Sequence, residues 1–385
     1  MRYKILLLIC TAFLLLAACG STGEAEGLQT NDTKTAQSEE TLESDSAETE
    51  SEAAGAEASE QKTSESQAIP SVTEQVFAMD TYMSITCYGK ECQEAADAAK
   101  EEIQRLDDAF SVGNPESEIA IINSQGSGTL SEDGLVMMDY AMQVYERSGG
   151  AFDITVYPLM ELWGFTTGDF RVPEAEEIDA ILTNMGSDKL IYDREAARLT
   201  LGDGQGVDLG GIAKGYTSGR LMKIFDNYDL VSAVISLGGN VHLYGTKPDG
   251  SLWKVGVQDP HYPEESRYLG ILQASDVAVI TSGAYERYFV DEETGETYHH
   301  ILDPSTGRCA SAGLISATVV SADGTLADTL STACYVMGLE DTIQYWKDYG
   351  EDFELILMTE DDQVYITEGL EGRFSSDYPL NVIYR

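Results

Sequence analysis

An abrupt change in composition near residue 69 limits which part of this chain can fold. Residues 21–68 are mainly Ser, Thr, Glu, Ala and Gln, with almost no aromatic or branched apolar residue. Such a segment cannot bury enough apolar surface to offset the entropy cost of ordering it, so residues 19–70 are expected to form an extended, disordered acidic tether. Residues 71–385 are long and apolar enough for one large domain or two fused lobes.

The N-terminus predicts export and a lipid anchor. Arg2 and Lys4 precede an almost unbroken apolar run over residues 5–16, which is shorter than the roughly 20 residues that span a bilayer. The run leads into Leu-Ala-Ala and then Cys19, which resembles the bacterial lipobox. We expect a signal peptide over residues 1–18 and lipidation of Cys19, which would hold the protein at the extracytoplasmic face of the bacterial cell membrane. An ordinary signal peptide followed by a chance Cys is the alternative.

The charge of the chain restricts its partners. It carries 67 acidic against 23 basic residues, a formal net charge of −44. Nucleic acid is excluded as a ligand because phosphate-backbone binding needs clustered Lys and Arg, and no such cluster occurs. Any phosphate-containing ligand must therefore enter a local site that has its own positive charge or a metal ion.

Four cysteines remain beyond the anchor, namely Cys87, Cys92, Cys309 and Cys334. They form no CxxC pair and have no zinc-binding spacing with His. Export permits disulfides, and four thiols allow three pairings. Buried free thiols are the state we expect.

The pattern of apolar residues predicts a mixed fold without internal repeats. Strands cluster without regular helical crossovers, which favours an α+β fold with a largely antiparallel sheet and flanking helices. Helices are predicted at 91–110, 134–147, 174–185, 215–225 and 325–337. Strands are predicted at 76–88, 231–236, 241–244, 253–257, 277–281 and 314–321, and hairpins at 190–201 and 353–367.

A glycine-rich turn at residues 207–216 is the first candidate for chemistry. Glycines that open a helix let backbone N–H groups approach a phosphate at the positive end of the helix dipole, and Lys214 adds a mobile charge. The segment matches neither the Walker A loop nor GxGxxG. Taken alone, such a turn is more often only a turn.

Asp328 and Thr332 are the second candidate. They lie four residues apart on a predicted helix and so share one face, whereas Ser331 is expected on another. A carboxylate and a hydroxyl are hard oxygen ligands that suit Mg²⁺. The alternative is an Asp stabilised by the helix dipole and a Thr that faces the core.

Two further segments complete the set. His299 and His300 precede an Asp-Pro turn, where a histidine could act as a general base or bind phosphate, although such a pair is usually structural. Residues 149–156 are predicted to form a turn into a strand that makes one wall of a pocket.

In order and spacing, these segments resemble the ApbE-type FAD:protein FMN transferases, a flavin transferase family with many exported lipoproteins. The resemblance covers most of the chain from residue 72 onward, and the ordered set is far more specific than any one motif. Its other parts are Ala78-Met79-Asp80-Thr81, Phe110-Ser111-Val112-Gly113, Ser117-Glu118-Ile119, Ser236-Leu237-Gly238-Gly239-Asn240 and Thr281-Ser282-Gly283-Ala284-Tyr285-Glu286-Arg287.

The resemblance implies roles for individual residues. Asp328, Thr332 and a backbone carbonyl at Gly211 would bind Mg²⁺, and Lys214 and His300 would contact FAD. His300, Lys214 and Asp328 would be catalytic, with His300 taking or orienting a proton and Lys214 stabilising a phosphate oxygen. The residues that would line the flavin pocket are Met79, Ser111, Val112, Gly113, Ala151, Phe152 and Asp153.

The resemblance also implies the reaction. FMN would pass from FAD to a Thr or Ser hydroxyl of an exported or membrane flavoprotein with a Ser-Gly-Ala-Thr-like motif, forming a phosphoester and releasing AMP, with Mg²⁺ neutralising charge on the pyrophosphate. Residues 282–285 look like such a motif but end in Tyr285, so self-flavinylation is not expected. Two rival functions are a metal-dependent FAD pyrophosphatase and a flavin-binding lipoprotein without catalytic activity.

Overall fold

The computed structural model describes residues 68–385 except residues 264 and 266. The predicted signal peptide, Cys19 and nearly all of the predicted tether lie outside the described residues. Among the helices that are described, none combines the length and apolar character needed to cross a membrane.

A nine-stranded sheet is the centre of the fold. Its strand order is β1-β2-β6-β7-β10-β15-β16-β17-β19, and every neighbouring pair is antiparallel except the parallel pair β17 and β19. The strands of the described residues are β1 (Ser71–Ala78), β2 (Thr81–Gly89), β3 (Ser127–Thr129), β4 (Ile191–Asp193), β5 (Arg198–Thr200), β6 (Leu230–Leu237), β7 (Asn240–Tyr244), β8 (Trp253–Gln258), β9 (Tyr268–Ala274), β10 (Ala278–Gly283), β11 (Tyr288–Val290), β12 (Thr297–His299), β13 (Leu302–Asp303), β14 (Arg308–Cys309), β15 (Leu314–Ser321), β16 (Phe353–Thr359), β17 (Val364–Thr367), β18 (Phe374–Ser375) and β19 (Leu380–Ile383). The predicted α+β class with a largely antiparallel sheet is confirmed.

The α-helices mostly follow the predicted periodicity. They are α1 (Cys92–Phe110), α2 (Glu118–Gln125), α3 (Glu132–Arg147), α4 (Tyr157–Leu162), α5 (Ala175–Leu182), α6 (Ala213–Phe225) and α7 (Gly324–Tyr349). In α1, for example, Ala99, Ile103 and Leu106 recur on one buried face, as a helical period requires. Helix α7 is interrupted at Gly338, whose φ of 78° and close approach to the Ala312 carbonyl leave no room for a side chain. The helix predicted at 325–337 therefore ends at a real kink.

Two strands predicted from the sequence, at 76–88 and within 149–156, are wrong. The single strand predicted at 76–88 is the hairpin β1–β2, because Met79 and Asp80 turn the chain with φ values of 48° and 57°. Such turns usually contain Asn-Gly, Asp-Gly or Gly-Gly, and Met79-Asp80 is none of these pairs. The strand predicted within 149–156 is instead a 3-10 helix, Ile154–Val156, which begins where the Asp153 side chain accepts a hydrogen bond from the Thr155 backbone.

Other differences concern short or terminal elements. Helix α2 was missed because it has only eight residues and little amphipathic pattern. The hairpin predicted at 353–367 is confirmed as β16 and β17, and the short strands β18 and β19, which were not predicted, follow it. The hairpin predicted at 190–201 is confirmed as β4 and β5.

The large sheet carries helices on one face and a small sheet on the other. Neighbouring residues of β6 show this alternation: Ile235 packs in the cluster that contains Leu221 of α6, whereas Val234 packs with Trp253 of the three-stranded sheet β18-β9-β8. Helix α7 packs on the same face of the large sheet as α6, and the two helices lie directly against each other. This placement brings two of the predicted site segments together.

The four cysteines beyond the predicted anchor are free thiols. Cys87, Cys92 and Cys334 are buried, and Cys309 is half-buried. This agrees with the expected free thiols.

Candidate active site

The contact between α6 and α7 is the base of the site. Gly215 of α6 lies so close to α7 that a Cβ atom there would overlap the Gly324 carbonyl and the Asp328 side chain. The Gly215 backbone N–H donates a hydrogen bond of 2.7 Å to Asp328 Oδ2. No side chain caps the start of α6 from its own N-cap residue, Ile212. Asp328 therefore satisfies one of the N–H groups that the first turn of a helix leaves unpaired.

A second donor fixes the same carboxylate. Asn240 Nδ2 donates to Asp328 Oδ1 at 3.0 Å, and both side chains are buried, with exposures of 4% and 5%. Asn240 follows the tight turn between β6 and β7, where Gly238 and Gly239 have φ values of 62° and 98°. A carboxylate has about four lone-pair positions. These two hydrogen bonds therefore orient Asp328 and still leave acceptor capacity for a ligand.

Three predicted segments meet at Gly211. Thr332 lies one helical turn farther along α7, and its Oγ1 would be 3.8 Å from a Cβ placed on Gly211. The same Cβ would be 3.0 Å from the ring of Phe152, which is buried. The structure thus brings together Gly211, Thr332 and Phe152, which the sequence places in separate segments.

Two serines join this group that were not among the predicted site residues. Ser282, near the end of β10, places its Oγ 2.9 Å from Ser331 Oγ and 3.4 Å from Thr332 Oγ1. Ser331 is therefore not isolated from the site, although it lies on another face of α7 than Asp328 and Thr332. Ser282 stood in a motif that supported the resemblance, but no local pattern indicated a role for its side chain.

Two cations, Lys214 and Arg287, lie near the glycine-rich turn at residues 207–216. Lys214 is half-buried, and its Nζ is 3.5 Å from the Gly210 carbonyl oxygen. Burial raises the pKa of the nearby Asp208 carboxyl, while the Gly210 N–H, Arg287 and Lys214 act in the opposite direction. The site therefore has local positive charge within a strongly acidic chain, which a phosphate ligand requires.

Glu286 is a further acidic group near Lys214 and Asp328. Burial raises its pKa to about 7, with Lys214 lowering and Asp328 raising it. Sequence reasoning named this residue only as part of a motif. A raised carboxyl pKa next to a charged partner is typical of functional sites as well as of structural ion networks.

His300 has a defined tautomer. Its backbone N–H and its Nδ1 both lie 3.1 Å from the Arg287 carbonyl oxygen. Because a carbonyl only accepts hydrogen bonds, Nδ1 carries the hydrogen and Nε2 keeps its lone pair. Burial, then Arg287, His299 and Lys214, hold the pKa of His300 at about 3, so the ring is neutral at pH 7.

His299 has a structural environment. Its ring is buried, lies edge-on to Tyr335, and its Nε2 donates to the Ala310 carbonyl oxygen at 3.2 Å. Its burial lowers its pKa. The two adjacent histidines therefore face different surroundings, and His300 is the one near Lys214.

Of the residues predicted to line the flavin pocket, Met79 contacts α6 directly. Met79 is in the β1–β2 turn, with its sulfur 4.0 Å from Thr217 Oγ1 of α6 and its backbone hydrogen-bonded to the Asp107 carboxyl of α1. Ser111 follows the end of α1, and its carbonyl accepts from the Ser117 hydroxyl. This arrangement places Met79 beside the segment that begins at Ser111.

The next two residues of that segment differ in their packing. Val112 is half-buried and packs against the hydrophobic cluster that contains Leu106 and Phe110 of α1. A Cβ on Gly113 would meet only the Ser111 hydroxyl, at 3.6 Å, and the φ of Gly113 is not positive, so this backbone does not require glycine. Their predicted flavin contacts stay predictions.

Asp153 has a clear local role. Its Oδ1 accepts hydrogen bonds from the Thr155 backbone, the Thr155 hydroxyl and the Ser187 hydroxyl at 2.9, 2.7 and 2.6 Å. This carboxylate oxygen braces the 3-10 helix and the loop at Ser187. Ala151 and Phe152 just before it follow the sharp turn at residues 149 and 150. The Phe152 ring lies against Gly211.

The donor set fits Mg²⁺ better than a soft metal. Within the described residues, no group of three or more His, Cys, Asp or Glu side chains is placed to hold a metal ion. Asp328, Thr332 and the Gly211 carbonyl offer one carboxylate, one hydroxyl and one peptide oxygen. Mg²⁺ binds oxygen and takes its other ligands from water and substrate phosphates, so the residues present fit it.

The sequence model of the ApbE family matches residues 79–357. That span includes every predicted site residue from Met79 to Thr332. The chain belongs to the ApbE family. The ApbE match also covers the hairpin turn at Met79 and the helix that carries Asp328.

Curated ApbE relatives resemble the chain over most of their length. The FAD:protein FMN transferase of Klebsiella pneumoniae (strain 342) is 31% identical over 287 residues, which are 74% of this chain and 87% of the relative. The FAD:protein FMN transferase of Treponema pallidum (strain Nichols) is 28% identical over 325 residues, 77% of this chain and 87% of the relative.

Solved ApbE structures share the fold. The ApbE protein of Thermotoga maritima MSB8 is similar with a TM-score of 0.73 and 33% identity, covering 79% of this chain and 99% of that one. The flavin transferase ApbE of Vibrio cholerae has a TM-score of 0.69 and 25% identity, again covering 79% of this chain and 99% of that one. The expected ApbE-like fold is confirmed.

Proposed function

We propose that this chain transfers FMN from FAD to a Ser or Thr hydroxyl of an acceptor protein, with bound Mg²⁺ and release of AMP. The enzyme class, FAD:protein FMN transferase, follows from membership of the ApbE family and from its curated relatives. The metal, the phosphoester bond and the leaving group are the finer parts of the proposal.

One observation carries the finer proposal. The Asp328 carboxylate is oriented by the Gly215 N–H in the first turn of α6 and by Asn240 Nδ2 of β7. Thr332 lies one helical turn farther along α7, and its Oγ1 would be 3.8 Å from a Cβ placed on Gly211. A helix N-terminus, a cation at Lys214 and a set of hard oxygen donors together suit a magnesium pyrophosphate. A carrier that only holds a flavin has no need of a metal at the bond that breaks.

The chain's own residues would orient the reactants. Lys214 and Arg287 supply positive charge to the phosphate oxygens, and the half-buried position of Lys214 strengthens that interaction relative to water. When bound, Mg²⁺ would neutralise negative charge on the pyrophosphate. The protein therefore contributes mostly position and electrostatic stabilisation, as in other phosphoryl transfers.

His300 would move the proton. In the reaction an acceptor hydroxyl oxygen forms a bond to the FMN phosphorus, the bond from that phosphorus to the AMP oxygen breaks, and the hydroxyl proton passes to Nε2 of His300. The ring has the right tautomer, because Nδ1 is already hydrogen-bonded to the Arg287 carbonyl. Burial is the main cause of the low pKa of His300, and Arg287, His299 and Lys214 lower it further. An anionic substrate beside Arg287 and Lys214 would offset their part and so make Nε2 a better base.

The rival with the same site is an FAD pyrophosphatase, in which water replaces the acceptor hydroxyl. The purified full-length chain, FAD and Mg²⁺ should be incubated with and without an acceptor that carries a Ser-Gly-Ala-Thr-like motif. We expect covalent flavin on the acceptor and an equal amount of AMP. AMP at the same rate without acceptor, and no attached flavin, would establish the pyrophosphatase instead.

The N-terminal residues support a proposal for the place of action. We propose that Cys19 is lipidated and anchors the enzyme outside the cell membrane, where its acceptor is an exported or membrane-bound flavoprotein. The support is the short apolar run after Arg2 and Lys4 and the small residues before Cys19.

A further inference from the structure

Three hydroxyl groups form a chain beside the proposed metal ligands. Ser282 Oγ lies 3.4 Å from Thr332 Oγ1 and 2.9 Å from Ser331 Oγ. Ser331 Oγ in turn lies 2.9 Å from the backbone carbonyl oxygen of Asp328. The chain therefore starts at one proposed ligand, Thr332, and ends on the backbone of the other, Asp328.

The direction of these hydrogen bonds follows from one fixed acceptor. The Asp328 carbonyl can only accept, so the Ser331 hydroxyl donates to it. Ser331 Oγ then accepts the hydrogen of Ser282. Ser282 has no second hydrogen, so its contact with Thr332 is made by the Thr332 hydroxyl, which donates to Ser282 Oγ. The chain runs from Thr332 to Ser282 to Ser331 to the Asp328 carbonyl.

This direction matters to a hydroxyl that binds a cation. Such a hydroxyl uses an oxygen lone pair for the cation and must point its hydrogen elsewhere. Groups that accept that hydrogen orient the ligand and make it a better donor of electrons, and their loss typically weakens metal binding by about 10- to 100-fold. Thr332 has this acceptor in Ser282.

The strand that carries Ser282 holds it in place. Ser282 pairs with Ala317 in the register of β10 and β15, next to the end of β10, and its side chain is only 9% exposed. Its position is therefore set by the centre of the large sheet rather than by a mobile loop. A rigid support of this kind keeps a ligand within the narrow geometry that Mg²⁺ demands.

We propose that Ser282 is a positioning residue that accepts the hydroxyl hydrogen of Thr332 and so turns the Thr332 oxygen toward the metal and the substrate phosphates. The inference rests on the proposed magnesium-dependent function. Ser282 lies on a strand, 50 positions from Thr332 in the sequence. Under this proposal it nevertheless affects the affinity for the metal directly.

The test compares Ser282→Ala with two other variants of the full-length chain. Ser282→Thr keeps the hydroxyl acceptor. Ser316→Ala is the matched control: Ser316 is a fully buried serine of β15 that pairs with Gly283, and its Oγ has no hydrogen-bond partner among the described residues. FAD binding without acceptor is followed by quenching of flavin fluorescence during a Mg²⁺ titration, and folding by a thermal melt.

We expect Ser282→Ala to need about tenfold more Mg²⁺ for half-maximal FAD binding. Ser282→Thr should restore the wild-type requirement, and Ser316→Ala should leave it unchanged. At saturating Mg²⁺ the Ser282→Ala protein should recover most of its transfer rate, because the defect is in ligand orientation rather than in the chemical step.

Two results would overturn the inference and can be told apart. If wild-type FAD binding and transfer do not depend on Mg²⁺, the magnesium part of the proposed function fails and the role of Ser282 fails with it. If the wild type depends on Mg²⁺ but Ser282→Ala titrates like Ser316→Ala, only the role of Ser282 fails. Should Ser282→Ala not fold, Ser282→Cys decides the question, since a thiol of similar size is a weaker acceptor and should raise the Mg²⁺ requirement to a smaller extent.

Discussion

Asp328 of α7 accepts a hydrogen bond from the backbone N–H of Gly215 in the first turn of α6, at 2.7 Å. The same carboxylate is the proposed metal ligand. Packing of the two helices and the proposed chemistry therefore depend on one side chain. Any test of this site has to separate a loss of folding from a loss of function.

Asp328→Ala should abolish both FMN transfer and its response to Mg²⁺, because this carboxylate is the only full charge assigned to the metal. The variant should also lose about 1–3 kcal/mol of unfolding free energy, since Gly215 N–H and Asn240 Nδ2 lose their acceptor. Thr332→Ala should have a milder effect, because water can partly replace a neutral oxygen. Transfer is measured against Mg²⁺ concentration, with a thermal melt for each variant.

A matched control for Asp328 lies on the same helix. Thr329 is fully buried, and among the described residues its hydroxyl bonds only to the Thr325 carbonyl within α7, so Thr329→Val should keep a normal Mg²⁺ response. Ser331→Ala is a less suitable control, because Ser331 contacts Ser282. The metal assignment fails if folded Asp328→Ala protein responds to Mg²⁺ as the wild type does.

Gly215→Ala should disrupt the contact between α6 and α7. Its methyl group would overlap both the Gly324 carbonyl and the Asp328 side chain, so we expect a lower melting temperature and a large loss of transfer. Gly219→Ala, one turn later on α6, is the control. A Cβ there meets only Thr325 Oγ1, at 3.9 Å, and alanine should raise helix stability by up to about 1 kcal/mol. Equal stability of the two variants would contradict the close packing at Gly215.

His300→Gln should lower the transfer rate by about 10²- to 10⁴-fold, the usual contribution of a general base. FAD binding, measured by fluorescence quenching, should change far less, because the other phosphate contacts remain. His261 is the control histidine: it is paired with Asp362 at 2.7 Å, and the two side chains are 40% and 61% exposed. If His261→Gln and His300→Gln transfer flavin equally well, the proton-transfer role of His300 is wrong.

Glu286 should make stability depend on pH between about 5 and 8. Its pKa is raised from 4.5 to about 7 by burial, so the folded state binds more protons than the unfolded state in this range. Its contribution to stability is present below the unfolded pKa and is lost as the pH rises through the folded pKa. His242 and His300, with pKa values lowered to about 4 and 3, act in the opposite direction over the acidic part of the range.

The pH effect of Glu286 is therefore measured as a difference. Melting temperatures of wild type and Glu286→Gln, without ligand, are compared at steps from pH 5 to pH 8. We expect the wild type to lose stability relative to the variant as the pH rises. A constant difference across this range would show that Glu286 does not titrate there.

Cys19→Ala should move the protein from the membrane fraction to the soluble exported fraction, because acyl chains on Cys19 would supply the anchor. Cell fractionation followed by immunoblotting measures this shift. A variant that stays in the membrane fraction would show that another part of the chain holds it there.

Much of the fold could be predicted from local patterns. Apolar residues at helical spacing identified α1, the glycine-rich turn marked the start of α6, strand-like apolar runs identified β6 and β15, and the ordered motifs pointed to the family. The turn at Met79 and Asp80 was missed because Met is rare at a positive φ and no glycine follows Asp80, so the usual Asn-Gly or Asp-Gly signal of a hairpin is absent. The apolar alternation of β1 runs on into β2, so the sequence looks like one strand.

The sequence by itself determined which residues have the chemistry for the proposed reaction: a carboxylate and a hydroxyl four apart, a lysine after a glycine-rich turn, and a histidine before an Asp-Pro turn. Only the tertiary structure decided how they are held. Asp328 meets Gly215 across 113 residues and Asn240 across 88, and Thr332 meets Ser282 across 50. Local periodicity shows which face of an element is buried, whereas these hydrogen bonds depend on how helices and strands pack against each other, and that arrangement exists only in the folded chain.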